Sequence, residues 1–331
     1  MKLTDPRGIE AFGALLPFLD GSREADEILS TLEARGIDPG IVRAVLDHLE
    51  TNSLLEEAEA PSLMSEHRER FASQIRFFSR YAADGGHAYQ DMLATTRVAV
   101  IGSGRLAQSM LASLSNAGFE ALVHLTDGET EPDAEDSATS SWQSLVLDRR
   151  SIWPASGDLE PPDLFVLALE SHDPQLAEAM DAFARDRGVR WLLLRLFDRH
   201  QGWVGPLFIP GETASYLSLE ARFRANIPFY DEYAAYDRHV RDRDDAPPSI
   251  GGLHAFVDLL ANAATIELVK LVTGIDTPRL AGRFLTIDLF RWDFDMHEVL
   301  RMPRLDRGTG TGPSHFPWKE IPYGDTQQRR S

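Results

Sequence analysis

The sequence predicts an α/β protein with a largely parallel sheet, preceded by a small helical domain. Three observations predict it. Residues 97–101 (RVAVI) form a short β-branched run that ends at Gly102-Ser103-Gly104, and a helical pattern at 106–117 and a second apolar run at 121–125 follow. Strand, glycine turn, helix, strand is the order of a right-handed βαβ unit. The same alternation returns at 164–169, 175–187 and 190–196, the pattern of an α/β fold with a parallel sheet. Lastly, residues 1–60 carry three short helical patterns of their own.

In chain order, residues 9–19 are apolar at helical spacing and stop at Asp20-Gly21. Ser22 is expected to cap a second helix, 24–33, whose first turn holds Asp26 and Glu27 at the positive end of the dipole. Asp38-Pro39-Gly40 opens a third helix, 41–51, with Ile41, Val45 and Leu49 expected on its core face. Residues 1–4 supply one strand and 53–55 a short apolar segment, so 1–60 reads as a winged-helix-like unit. The polar stretch 56–65, with Pro61, reads as a linker to a second domain, 61–331. That domain opens with a helix at 66–81 carrying Phe71, Ile75 and Phe78, which Asp84-Gly85-Gly86 ends. Residues 129–141 read as a mobile acidic loop, 237–248 as a polar break, and 253–273 as an amphipathic helix closed by Gly274. A late strand is expected at 283–291. From 304 onward the chain is rich in Gly and Pro, with Phe316 and Trp318 as isolated anchors.

Composition narrows the function. The 331 residues contain no cysteine, which excludes disulfides, thiol catalysis and thiolate metal sites. A net charge of −19 argues against a nucleic-acid surface, because phosphates need Lys and Arg. No apolar run approaches the roughly 20 residues that span a bilayer, and MKLTDPRGIE is not a signal peptide. The expectation is a cytoplasmic protein with no nucleic-acid and no membrane partner.

Gly102-x-Gly104-x-x-Ala107 sits between a strand and a helix, where backbone N–H groups can approach a phosphate. Asp127, at the end of the second strand, is placed to accept from ribose hydroxyls. It is followed by Glu129, Glu131 and Asp133; four carboxylates there repel a polyphosphate, and no lysine lies close by. Glu170 and Asp173 follow a later strand, Asp173 as a helix cap. No HExxH or GxSxG motif is present, and the histidines show no metal spacing.

Residues 203–226 (WVGPLFIPGETASYLSLEARFRAN) resemble the region of ThiF-like, ubiquitin-activating-type proteins where a Pro-Gly turn leads into a Cys-x-x-Cys zinc knuckle. Here the two thiol positions read Ser215 and Ser218, and the second pair, after HEVLRMPR at 297–304, reads Leu305 and Gly308. Serine is a poor zinc ligand, and leucine and glycine offer no side-chain ligand. The resemblance therefore implies a Rossmann-like ThiF-type domain with no zinc and with ATP bound weakly if at all. It also makes Gly102, Gly104, Ala107 and Asp127 a vestigial nucleotide site and leaves no catalytic residue. Arg70-x-x-x-Gln74-x-Arg76-Phe77-Phe78 resembles the opening of such domains, where an arginine crosses a dimer interface, so a homodimer is the assembly the resemblance allows.

The segment FGALLPFLDGSREADEILSTLEARGIDPGIVRAVLDHLETNSLLEE resembles the PqqD-like recognition element of peptide natural-product pathways. With the ThiF-like remainder it is similar to the leader-peptide-binding partners of YcaO cyclodehydratases in thiazole/oxazole-modified microcin and thiopeptide pathways. That resemblance implies a bacteriocin-type role: the leader of a precursor peptide is held in extended form between Lys2, Leu3 and Thr4 and the helix face of Arg43, Leu46, Asp47 and Glu50. A separate YcaO enzyme then forms the azolines. The two strands that usually precede the recognition strand have no counterpart here, so either the start is truncated or a reduced element is used. Two other classes stay open: an ATP-dependent adenylating enzyme of the ThiF class acting on a peptide, and a nucleotide-binding Rossmann oxidoreductase.

Overall fold

The computed structural model describes residues 6–51, 54–55, 65–81, 86–127, 142–153, 161–243 and 247–306. The expected strand at 1–4, the loop at 129–141 and the tail beyond 306 lie outside the described residues. The chain divides into two compact units, Met1–Asp91 and Met92–Ser331.

In the first unit, α1 (Pro6–Leu15) runs into a 3-10 turn (Leu16–Phe18), then α2 (Ala25–Glu33) and α3 (Pro39–Thr51). Their apolar faces close on one core of Ala11, Leu15, Phe18, Ile28, Leu32, Val42, Val45 and Leu49. The core face of α3 is Val42-Val45-Leu49, with Ile41 only half-buried. A spacing of four and four drifts around the helix, whereas three and four keeps to one stripe. Ser22 does not cap α2. Its amide and hydroxyl bond back to Asp20 Oδ1 at 2.9 and 2.5 Å, closing an Asx turn, and the N-cap is Glu24, without a side-chain bond.

α4 (Ser65–Ser79) buries Phe71, Ile75 and Phe78 as the sequence predicts. The sequence does not announce α5 (His87–Thr95). A Cβ on Gly86 would lie 2.0 Å from the Ile75 carbonyl oxygen, so this glycine permits a close approach of two backbones. Gln74 Nε2 then donates to Gln90 Oε1 at 2.8 Å.

The second unit is an eight-stranded mixed sheet. Its elements in order are β1 (Val98–Ile101), α6 (Arg105–Asn116), β2 (Leu122–Thr126), β3 (Gln143–Val146), β4 (Leu164–Leu169), α7 (Pro174–Arg187) and β5 (Arg190–Leu196). There follow β6 (Gln201–Phe208), α8 (Tyr216–Asn226), α9 (Tyr230–Arg241), α10 (His254–Thr273), β7 (Arg283–Asp288) and β8 (Asp293–Glu298). The strand order is β3-β2-β1-β4-β5-β6-β7-β8. Pairing is parallel from β3 to β5 and antiparallel from β5 to β8. β1 and β4 are buried on both faces, which is why they read as unbroken apolar runs.

The order reverses between β1 and β4. The crevice at the carboxyl ends of those strands is where an open α/β sheet places ligands, and it holds Gly102, Gly104 and Glu170. α6 packs on α10, and α7 on α8 and α9. Among the described residues no helix is long and apolar enough to cross a membrane.

Candidate functional site: a filled cradle and a thiol-free knuckle

The glycine turn is built as the sequence predicts. Gly102 has φ 147° and Gly104 φ 98°, and a Cβ on Gly102 would meet the Ala168 carbonyl oxygen at 2.2 Å. Ala107 is buried on α6. His124 Nε2 bonds the Gly102 carbonyl oxygen at 2.8 Å, and burial pushes its pKa below the usual histidine value. The turn thus delivers the first amides of α6 into the crevice, where an anion is favoured.

The protein supplies that anion itself. Glu170 Oε1 accepts from the Leu106 amide at 2.6 Å, and its other oxygen accepts from the Ser249 hydroxyl. A Cβ on Gly104 would come within 2.8 Å of the same carboxylate. A carboxylate therefore occupies the place at the helix N-terminus that a phosphate would take. Asp127, half-buried at the end of β2, is bonded by Arg149, which also bonds Asp173. Burial raises the Asp127 pKa against the pull of Arg149. Asp173 caps α7 by accepting from the Leu176 amide at 3.1 Å, as expected. Arg149 is the basic partner the sequence reading found missing. It stands on the turn after β3, 22 residues beyond Asp127, where no local pattern marks it.

The knuckle positions tell a parallel story. Ser215 caps α8 and accepts from the Ser218 amide at 3.3 Å. Asp306 then bridges the two segments in which the sequence resemblance places the knuckle halves. It accepts from the Ser215 amide at 2.8 Å, from the Ser218 hydroxyl at 2.9 Å through both oxygens, and from the Met302 amide. Burial pushes the Asp306 pKa upward, but these hydrogen bonds outweigh it and hold the carboxyl below its usual value. Leu305 lies in the adjacent turn, and Gly308 is outside the described residues. One carboxylate thus joins segments that a shared metal ion would join. Among the described residues no cluster of three or more His, Cys, Asp or Glu could hold a metal ion.

A buried polar network lies past the ends of β4 and β5. His172 Nε2 bonds Asp237 Oδ1 at 2.8 Å, and Asp237 Oδ2 accepts from Arg224 and Arg241. Tyr233 and Arg224 both bond Glu220. Burial, then the charge of Arg195, lowers the His172 pKa against the pull of Asp237. Every acid in this network has a basic or hydroxyl partner, so it reads as a brace holding α8 and α9 to the sheet.

In the first unit, Arg43, Asp47 and Glu50 are exposed along α3, and Leu46 is half-buried against the unit's own core. Lys2, Leu3 and Thr4 lie outside the described residues. Arg43 comes within 3.9 Å of Asp26, both well exposed, a pair worth little in water.

The chain matches no family model. No curated protein sequence matches it. It is similar in structure to PaaA, at a TM-score of 0.62 and 19% identity, over 85% of this chain and 99% of PaaA. It is also similar to Escherichia coli MccB bound to MccA-N7isoAsn, at a TM-score of 0.57 and 12% identity, over 81% of each chain. The heterocyclase TruD aligns at a TM-score of 0.57 and 20% identity, over 88% of this chain but 37% of TruD. At these identities the likeness establishes the fold alone: an α/β architecture shared with PaaA and MccB.

Proposed function

We propose that this chain holds the leader of a ribosomally made precursor peptide and presents it to a separate YcaO-type cyclodehydratase, without adenylating the peptide itself. The observation that carries the reading is Glu170, whose carboxylate accepts from the Leu106 amide at the N-terminus of α6, where an adenylating enzyme would seat a phosphate. The thiol-free segment supports it, since Asp306 joins Ser215 and Ser218 by hydrogen bonds where thiolates would be needed to hold zinc. The structural neighbours add support of a second kind: one is a heterocyclase in complex with substrate and cofactor, and others are MccB with MccA. Tethering a substrate raises its effective concentration at the partner enzyme and needs no catalytic group on the tether.

The first unit is the part assigned to the leader, along the exposed Arg43, Asp47 and Glu50 and the half-buried Leu46 of α3. The test is titration of a labelled leader from a neighbouring gene against the full chain and its Leu46→Ala and Arg43→Glu forms. Loss of an apolar anchor contact at Leu46 is expected to weaken binding by about 1–3 kcal/mol. Because Leu46 also touches the unit's core, each form is melted alongside. Binding unchanged in both variants at intact stability refutes the assignment.

A second reading, ATP-dependent adenylation of a peptide, is favoured by one observation. Arg149 stands between Asp127 and Asp173 at the switch point of the sheet, a position suited to nucleotide charge. It requires Glu170 to leave the α6 amides when ATP arrives.

A further inference from the structure

The β7–β8 hairpin carries a run of exposed apolar residues in the second unit. All six residues of β8 are exposed, on both faces of the strand. Phe290 is 77% exposed, Trp292 65%, Phe294 50% and Met296 47%. Trp292 is held at φ 55°, a conformation a bulky residue rarely adopts, and its ring stacks on Phe294 at 6.4 Å. Among the described residues β8 is also the last strand of the sheet, so alternate residues turn N–H and C=O groups outward with no described strand beside them. Contiguous exposed aromatics on an open strand edge mark an interaction surface.

Charge decides what fits there. Within residues 289–298 the acids are Asp293, Asp295 and Glu298, and the only Lys or Arg is Arg291, in the turn. Glu298 has only a loose partner, Arg283 at 3.9 Å. A second copy of this chain is a poor occupant. Antiparallel pairing of two β8 strands about their centre sets Asp293 of one against Glu298 of the other, twice. Like charges directly opposite destabilise a ladder. The pleat places Asp293 and Asp295 on one face and Phe294 and Met296 on the other. The complementary strand therefore alternates basic and apolar side chains.

We propose that the β8 edge docks an extended, alternately basic and apolar peptide segment by strand addition. Backbone hydrogen bonds to the open edge supply pairing, Asp293 and Asp295 select the basic side chains, and Phe294 and Met296 receive the apolar ones. This surface does not rest on the leader-presentation reading, and it belongs to a different unit of the chain.

The experiment is titration of the full chain with a fluorescent Lys-Val-Lys-Val-Lys-Val peptide, its Glu-Val counterpart, and a form of the lysine peptide N-methylated at alternate residues. The lysine peptide is expected to bind and the other two are not. The Asp293→Lys/Asp295→Lys protein is expected to lose about tenfold in affinity for the lysine peptide and to gain binding of the glutamate peptide. Both substitutions fall on exposed residues, and a melt of the variant verifies folding. Failure of the lysine peptide to bind, equal binding of its N-methylated form, or equal affinity in the charge-reversed protein each overturns the proposal. Sedimentation showing a dimer that the charge reversal tightens, by setting opposite charges across two paired β8 strands, overturns it in favour of a second copy.

Discussion

Replacing Asp306 by alanine removes a carboxylate that ties the C-terminal segment to the start of α8, beside the Arg222 bond to the Leu300 carbonyl oxygen. The Ser215 amide and the Ser218 hydroxyl lose their acceptor, and the Met302 amide keeps only the Ser218 hydroxyl oxygen, at 3.3 Å. A hydrogen bond to a charged acceptor is worth about 1.5–3 kcal/mol, and a buried donor left unsatisfied costs about 1–3 kcal/mol. Ser218 is fully buried and Ser215 nearly so, whereas Asp306 is half-exposed, so water reaches part of the vacated space. Discounting for that, the expected loss is about 3 kcal/mol, or roughly 10 °C in melting temperature for a unit of this size. Asp306→Asn, which keeps one acceptor, should lose about half as much.

The acid limb of stability carries a further signature. Because the folded pKa of Asp306 is depressed, its contribution is fully present above the unfolded value of about 3.9. It is lost as pH falls through the folded value. The alanine protein should lack that part of the acid destabilisation. The assay is urea unfolding of the two proteins across acidic pH. A loss below about 0.5 kcal/mol at neutral pH, with an unchanged acid limb, refutes the idea that this carboxylate replaces the metal.

Three further outcomes follow from the same geometry. The purified protein should contain far less than one zinc per chain, and stoichiometric zinc after gentle chelation would show that ligands outside those named here hold it. Glu170→Ala frees the first amides of α6, so sulfate or ATP should bind the variant more tightly than the parent in a calorimetric titration; no gain means that the carboxylate does not guard this site. The lowered pKa of buried His172 keeps it neutral in the folded chain, so stability is lost as pH falls below about 6.5 toward its folded value. His172→Gln should flatten the unfolding free energy measured between about pH 7 and 5.5, leaving the part due to His124, and an unchanged slope contradicts the assignment.

The sequence disclosed what local pattern controls. β1 and β4 are double-buried runs, and Gly102 and Gly104 sit where a strand must turn into a helix, so period and punctuation suffice to place them. β6 escaped because Gly205 and Pro206 stand within it and read as a break. β3 and β8 expose most of their residues, so no apolar run marks them. α9 is mostly polar, and its buried contribution is largely Asp237 rather than a hydrophobic stripe. Ser22 and Ile41 show the finer limit, since an Asx turn competed with the cap and the helical face was misjudged by one residue.

The chemistry at the site was harder to see than the fold. Glu170 was legible as an acid near a strand end, but not as the group that fills the α6 terminus. Arg149 and Asp306 act across 22 and 88 residues of chain. Only the packing of the sheet brings them to Asp127 and Ser218. The absence of thiols was plain in the sequence, whereas the Asp306 carboxylate that joins Ser215 and Ser218 was not.

Exchange of labelled pyrophosphate into ATP, measured with this chain and its precursor peptide but no cyclodehydratase, tests the central claim most directly. A chain that presents a leader and leaves activation to its partner gives no exchange above a protein-free control. Peptide-dependent exchange at a rate proportional to the concentration of this chain would contradict the account and establish the adenylating reading instead.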